Sequence, residues 1–162
     1  MTAPDGRPAT VPAYRIAELT IDDGLDIAMW PTPGPWAIQD SLQAPRPDEG
    51  YWAIRGTGEA GLIGYCCFGA AARPPGFAGS QAVLDVAFGL SPALTGRHLA
   101  TGVAAAVVAH GVTVAKDRRL RCAVASWNDA GRRAAEAAGF GATGVHEFRG
   151  GSGVTTYFVY ER

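Results

Sequence analysis

Between Val83 and Ala115 (VLDVAFGLSPALTGRHLATGVAAAVVAHGVTVA) three kinds of chemical group come close together in sequence. A lone carboxylate, Asp85, sits in an apolar run; a Gly-Arg-His turn follows; then an Ala/Val-rich stretch begins. The run Val83–Leu90 stops at Ser91-Pro92, so the pattern predicts strand, turn and about four turns of helix. Over Thr95 to Ala100 the free N–H groups of a helix start, and the positive end of its dipole, suit an anion. Arg97 adds a fixed positive charge, and the junction fits a phosphate-bearing ligand. Asp85 is the candidate base of this stretch. The competing reading is a carboxylate that caps a strand end or pairs with an arginine such as Arg55.

The other titratable groups are less suggestive. His98 is either a phosphate contact or an exposed helix-start residue. His110 falls on the apolar helix and reads as a structural side chain. His146 and Glu147 are strand neighbours and therefore face opposite sides, which does not make a dyad. Asn128 precedes a helical pattern and reads as its cap. Ser126 and Arg132 flank it, and an arginine near a helix N-terminus hints at an anion nearby. The three cysteines, Cys66, Cys67 and Cys122, all lie in apolar runs, and adjacent Cys66 and Cys67 point to opposite faces. They read as reduced thiols of a cytoplasmic protein rather than as metal ligands.

Several function classes are excluded by composition. With 14 Lys+Arg against 15 Asp+Glu the chain has no basic footprint for nucleic acid. No apolar run is long enough to span a bilayer, the Ala/Val run being broken by His110 and Gly111. Apolar residues make up 48% of 162, enough for one real core. Residues 1–13 read as a flexible leader and residues 14–162 as a single domain. Strands are expected at Tyr14–Leu19, Tyr51–Arg55, Leu62–Phe68, Val83–Leu90, Leu120–Ser126, Phe140–Phe148 and Val154–Tyr160. Helices are expected after the cap Thr20, at Trp36–Gln43, from the junction at Thr95 to Ala100 onward and over Gly131–Ala138, the last closed by Gly139. Residues 69–80 (GAAARPPGFAGS) are too rich in Gly and Pro to be regular.

In this order of elements the chain resembles the GNAT superfamily of acyl-CoA-dependent N-acyltransferases, with an α/β fold in which helices flank a central mixed sheet. Two stretches carry the resemblance. LSPALTGRHLATG is similar to the family's acyl-CoA pyrophosphate loop, and SWNDAGRRAAEAAGF to its strand-Asn-helix-Gly-Phe segment. The loop departs from the family pattern: Thr95 stands where Arg or Gln is usual, His98 at the first motif glycine, and Ala100 at the permitted Gly/Ala place. The family's frequent proton-donating Tyr falls on Ala135, leaving that role vacant.

The resemblance implies acetyl-CoA as cosubstrate and a small-molecule amine as acceptor. Backbone groups of Ala87, Phe88 and Leu90 would hold the thioester and pantetheine, and an N–H near Phe88 or Leu90 would polarise the carbonyl. Gly96, Arg97, His98, Leu99, Ala100 and Thr101 would hold the pyrophosphate, with Asn128 touching the pantetheine arm. Asp85 would deprotonate the amine. Trp30, Trp36 and Trp52 would wall the acceptor pocket, with Pro31–Trp36 at its mouth. Pairing of two copies through the late strands is common in look-alikes, so Val154–Tyr160 has two uses open to it, dimer edge or core. Given the altered loop, two other readings stay open: cofactor-independent chemistry in the same cleft, and sequestration of a ligand without turnover.

Overall fold

In a computed structural model, residues 14–30, 44–56, 61–94, 96–151 and 153–162 are described. The alternating apolar runs become strands β1 (Tyr14–Glu18), β2 (Tyr51–Gly56), β3 (Leu62–Phe68), β4 (Val83–Leu90), β5 (Arg119–Ala125), β6 (Gly141–Gly150) and β7 (Gly153–Glu161). They form one sheet in the order β1-β2-β3-β4-β5-β7-β6, antiparallel throughout except for the parallel β4–β5 pair. Three α-helices flank it among the described residues: α1 (Ile21–Ala28), α2 (Ala100–Ala115) and α3 (Asp129–Ala137). The expected helix Trp36–Gln43, the leader and Trp36 lie outside the described residues.

Helices α1 and α3 begin where their side-chain caps stand. Thr20 Oγ1 accepts from the Asp23 N–H at 3.0 Å, while Asp23 Oδ2 accepts from the Thr20 N–H at 2.9 Å, a reciprocal box that starts α1. Asn128 Oδ1 accepts from the Gly131 N–H at 2.9 Å and starts α3. Gly139, at φ +92°, ends it, and the Phe140 N–H returns to the Ala135 carbonyl at 3.0 Å as the ring buries. Within 69–80 only Gly69–Ala72 is regular, as one short 3-10 turn.

Strand alternation divides the interior in two. On one face Ile54, Cys66, Leu84, Val86 and Leu120 meet Val103, Val107 and Val108 of α2. On the other, Ala53 meets Leu19 and Ile27 at α1, with Trp30, Tyr51, Leu62 and Tyr65 packed around them. Cys66, Cys67 and Cys122 are free, and burial pushes each thiol up to about 12, which keeps them neutral and unreactive. Among the described residues no group of His, Cys, Asp or Glu is arranged to hold a metal, and no helix is long and apolar enough to cross a membrane.

Of the two uses open to Val154–Tyr160, the sheet order gives core: β7 lies between β5 and β6, with both of its edges hydrogen-bonded, and its Tyr157, Val159 and Tyr160 are buried. Among the described residues the edge strands are β1 and β6.

His110 is the structural side chain its place on α2 predicts. Its ring meets Trp52 edge-on at 4.4 Å and Phe68 at 5.8 Å, and its Nε2 is buried without a hydrogen-bond partner among the described residues. Burial lowers its pKa from 6.5. A base whose folded pKa is lowered binds its proton more readily when unfolded, so stability falls as pH drops through 6.5. Thermal melts between pH 8 and 5 are expected to show Tm declining toward acid, and His110→Phe is expected to flatten that part of the decline.

Candidate active site

The β4–β5 ladder is short. It pairs Val83 with Arg119, Leu84 with Leu120 and Asp85 with Arg121, and goes no further. Beyond that point β4 continues along β3, with Val86 to Leu90 opposite Phe68 to Gly64, while β5 continues along β7. The two parallel strands therefore part, and the β5-facing backbone edge of 86–90 carries no ladder partner. A free strand edge offers a row of N–H and C=O groups. Both strands end at the same side of the sheet, and α2 and α3 start there, which is the place where α/β folds receive ligands.

Residues 91–100 lead from β4 into α2. A 3-10 turn, Pro92–Leu94, is followed by Gly96 at φ +83° and His98 at φ +57°. Helix α2 starts at Ala100 behind Leu99, which has no side-chain oxygen and makes no capping hydrogen bond. The Val103 N–H bonds back to the Leu99 carbonyl at 3.0 Å, and among the described residues no side chain caps the N–H groups of the first turn, Ala100, Thr101 and Gly102. A Cβ at Gly96 would have no atom within 4 Å, and Arg97 and His98 are exposed. The residues present fit a diphosphate: uncapped donors, a cation and open space. The left-handed backbone at His98 also accounts for the family glycine there. Histidine is among the residues that tolerate this region, at a strain of about 1 kcal/mol.

Asp85, open to readings as a base or as an arginine-paired carboxylate, is paired with Arg73 and Arg121. It is 2% exposed; Oδ1 accepts from Arg121 Nε at 2.6 Å, and Oδ2 from Arg73 Nε at 2.7 Å and Arg121 Nη2 at 3.0 Å. Both oxygens are thus engaged by guanidinium groups, three of the carboxylate's roughly four acceptor sites being taken. Arg55, its expected partner, instead reaches Asp23 at 2.8 Å across the α1 face. There, burial raises the Asp23 pKa, but hydrogen bonds from Thr20 and Arg55 outweigh it and hold the carboxyl below 3.8.

The same arginines tether the irregular segment 69–82. Arg121 donates to the Ala78 carbonyl at 2.8 Å and lies 4.2 Å from the Phe77 ring centre, and His146 Nε2 is 2.8 Å from the Pro75 oxygen. The segment is thus fixed across the sheet beside the split. Nothing in its Gly/Pro-rich sequence predicts this, since the partners lie on β4, β5 and β6.

The aromatic expectations separate. Trp52 alternates onto the α2 face and packs on His110. Trp30 lies on the α1 face, 6.3 Å from Tyr65, which in turn lies 5.9 Å from Tyr51. Tyr65 was not anticipated as a site residue. It stands opposite Gly89 across the β3–β4 ladder, and a Cβ on Gly89 would come within 2.8 Å of its ring. The signal was register: alternation along LIGYCCF places Tyr65 on the face of Tyr51 only once the β2–β3 pairing is known. Ala135 is buried in the core, so its side chain supplies no proton. Arg132 stacks 4.6 Å over Phe158 and pairs with Asp129 at 3.4 Å, a structural reason for its place near the α3 start. Two open hollows, about 410 Å³ between α2 and α3 and about 340 Å³ beside Ile21 and Leu25, lie away from the split.

Residues 26–141, more than half of the chain, match the model of the acetyltransferase (GNAT) domain. No curated protein sequence matches at a significant level. Among solved structures, the chain is similar to AAC(6')-Ib with ribostamycin and coenzyme A (TM-score 0.66, 18% identity, 93% of this chain and 94% of that one). It is also similar to the aminoglycoside acetyltransferase AAC(6')-Ib with coenzyme A and kanamycin (TM-score 0.62, 18% identity, 92% and 95%). A third is the GNAT-family acetyltransferase from Bacillus anthracis (TM-score 0.59, 16% identity, 72% and 68%). At such identities the likeness speaks for the fold, which is the one described above. From the matched domain, the parted β4 and β5 and the uncapped start of α2 that follows them, the conclusion is that this chain belongs to the GNAT family of acetyltransferases.

Proposed function

We propose that the protein transfers an acetyl group from acetyl-CoA to the amine of a small molecule, directly and without a covalent enzyme intermediate. The observation that carries the reading is the conjunction of an unpaired β4 edge with an uncapped helix start one turn further along the chain. Main-chain groups of Ala87, Phe88 and Leu90 align the pantetheine arm, and an N–H near Phe88 or Leu90 supports the carbonyl oxygen as it gains charge. N–H groups of Ala100 and Thr101, with Gly96, Leu99 and the Arg97 guanidinium, hold the diphosphate; His98 is adjacent to it. Asn128 adds its side-chain amide beside the arm.

When bound, the cosubstrate supplies a thioester carbon for attack by the neutral amine; the C–S bond breaks and the thiolate takes a proton from solvent, position 135 having no hydroxyl. Asp85 serves as the anchor of Arg73 and Arg121 in this scheme. The acceptor loses its proton to water, and the chain's contribution is alignment. The location is taken as cytoplasmic from the reduced thiols.

Isothermal titration with acetyl-CoA tests the first step: binding in the micromolar range is expected, and none at millimolar cosubstrate would sink the proposal. His98→Gly relieves the left-handed strain and is expected to gain about 1 kcal/mol of stability with acetyl-CoA affinity kept; a tenfold loss of affinity would instead make the imidazole a phosphate ligand. Asp85→Asn removes the charge shared by two arginines and is expected to cost about 3 kcal/mol, a Tm drop of roughly 6–12 °C for a chain of this size. If Asp85→Asn instead melts like the wild type while kcat falls a hundredfold or more, Asp85 is the base after all.

A further inference from the structure

The sheet ends on β6, and that end is bare. Among the described residues β7 is the ladder partner of β6, and from Gly144 to Gly150 only His146 and Phe148 are even half-buried. Their cover comes from one face: the Pro75 oxygen lies 2.8 Å from His146 Nε2, and a Cβ on Gly76 would come within 3.6 Å of the Phe148 ring. The opposite face carries Val145, 59% exposed, and then Glu147 and Arg149, both exposed. An outer strand presents unpaired N–H and C=O groups, which natural sheets guard with proline, an inward charge or a bulge. The run GVHEFRG has no proline, its two charges face solvent, and the register shift of β6 falls before it, between Ala142 and Gly144. The other edge, β1, is five residues long and adjoins residues outside the described set.

Another strand would satisfy such an edge, and the side chains of β6 say which. A two-fold axis normal to the sheet keeps every side chain on its own face, so an antiparallel β6–β6 pair must be centred on a residue. Centred on Glu147, it sets two carboxylates directly opposite each other; centred on Arg149, two guanidinium groups. Like charges so placed repel. Centred on His146, it sets Glu147 opposite Val145 and Arg149 opposite Thr143, which lies in the register shift. Centred on Phe148, it sets Glu147 of each copy opposite Arg149 of the other. On the second face Phe148 then meets its own counterpart, and His146 lies opposite Gly150, which has no side chain to crowd it. Opposite charges and aromatic rings are favourable cross-strand pairs. Neither Glu147 nor Arg149 enters an ion pair among the described residues, so both charges are available.

We infer that this edge is covered by a second copy of the chain, paired antiparallel, β6 to β6, about a two-fold axis at Phe148, with a Glu147–Arg149 pair on each side of the axis. One sheet then runs through both copies. The inference goes beyond acetyl transfer and does not depend on it.

The test is sedimentation of the purified full chain over micromolar to millimolar concentrations. Expected is a monomer–dimer equilibrium for the wild-type chain. Glu147→Arg and Arg149→Glu are each expected to weaken self-association tenfold or more, because each sets like charges at both rungs. The double variant Glu147→Arg/Arg149→Glu is expected to recover wild-type association. A mixture of the two single variants is expected to form a mixed dimer, one supplying two cations and the other two anions. Both side chains are exposed, so the circular dichroism spectrum and the acetyl-CoA affinity of each variant are expected to match the wild type. A wild-type chain that stays monomeric at millimolar concentration overturns the inference. So does a dimer indifferent to both reversals, or two weakened single variants that fail to pair when mixed. Acetyl-CoA that fails to bind strikes the acetyl-transfer reading alone and leaves the β6 pairing standing.

Discussion

The last rung of the parallel ladder is Asp85 opposite Arg121, and the architecture of the site follows from where that rung falls. Up to it, two parallel strands hold each other; past it, each keeps only its antiparallel neighbour. The carboxylate at this apex is taken out of water and surrounded by Arg121 and Arg73 at 2.6–3.0 Å. A buried charge is tolerated only when its lone pairs are met, and here two cations from separate segments meet them. The ion cluster thereby ties β4, β5 and the irregular segment after β3 to one point.

From that apex the site divides by polarity. Toward the helix starts, the wedge offers main-chain donors: the free edge of β4 and the uncapped amides of α2. Main-chain groups do not depend on side-chain identity, and the loop carries His98 in a left-handed conformation. The backbone shape is kept, at a small strain. Toward α1 lie Trp30, Tyr51 and Tyr65, and Asp23 is paired with Arg55.

Local chemistry settled most elements before any tertiary contact is considered. Thr20 with Asp23, and Asn128 with Gly131, are caps whose partners lie three residues away, so short-range spacing is enough to find them. The runs Leu62–Phe68 and Val83–Leu90 are strands bounded by glycine, proline and serine, and α3 carries its own start and stop signals, Asn128 and Gly139. The pyrophosphate-type junction is legible for the same reason, because it is a contiguous turn between a strand and a helix. Ala135 could be read as lacking a hydroxyl from its identity alone.

What tertiary structure decided was which distant residues share a face. Asp85 looked like a base because its neighbours in the chain are apolar; its arginines come from positions 73 and 121, brought in by a loop and a parallel strand. Trp52 and Tyr51 are adjacent, and one step of register sends Trp52 to His110 and Tyr51 to Tyr65. The β2–β3 pairing contains an irregularity at Ile54/Arg55, so register along the hairpin could not be counted from its ends. Likewise the apolar run Val154–Tyr160 does not reveal that β7 inserts between β5 and β6. By itself, then, the sequence determined the strands, the caps and the turn that opens α2, since these rest on contacts within a few residues. Long-range strand pairing alone chose the partners of each buried charge and ring, because its energy depends on groups far apart in the chain.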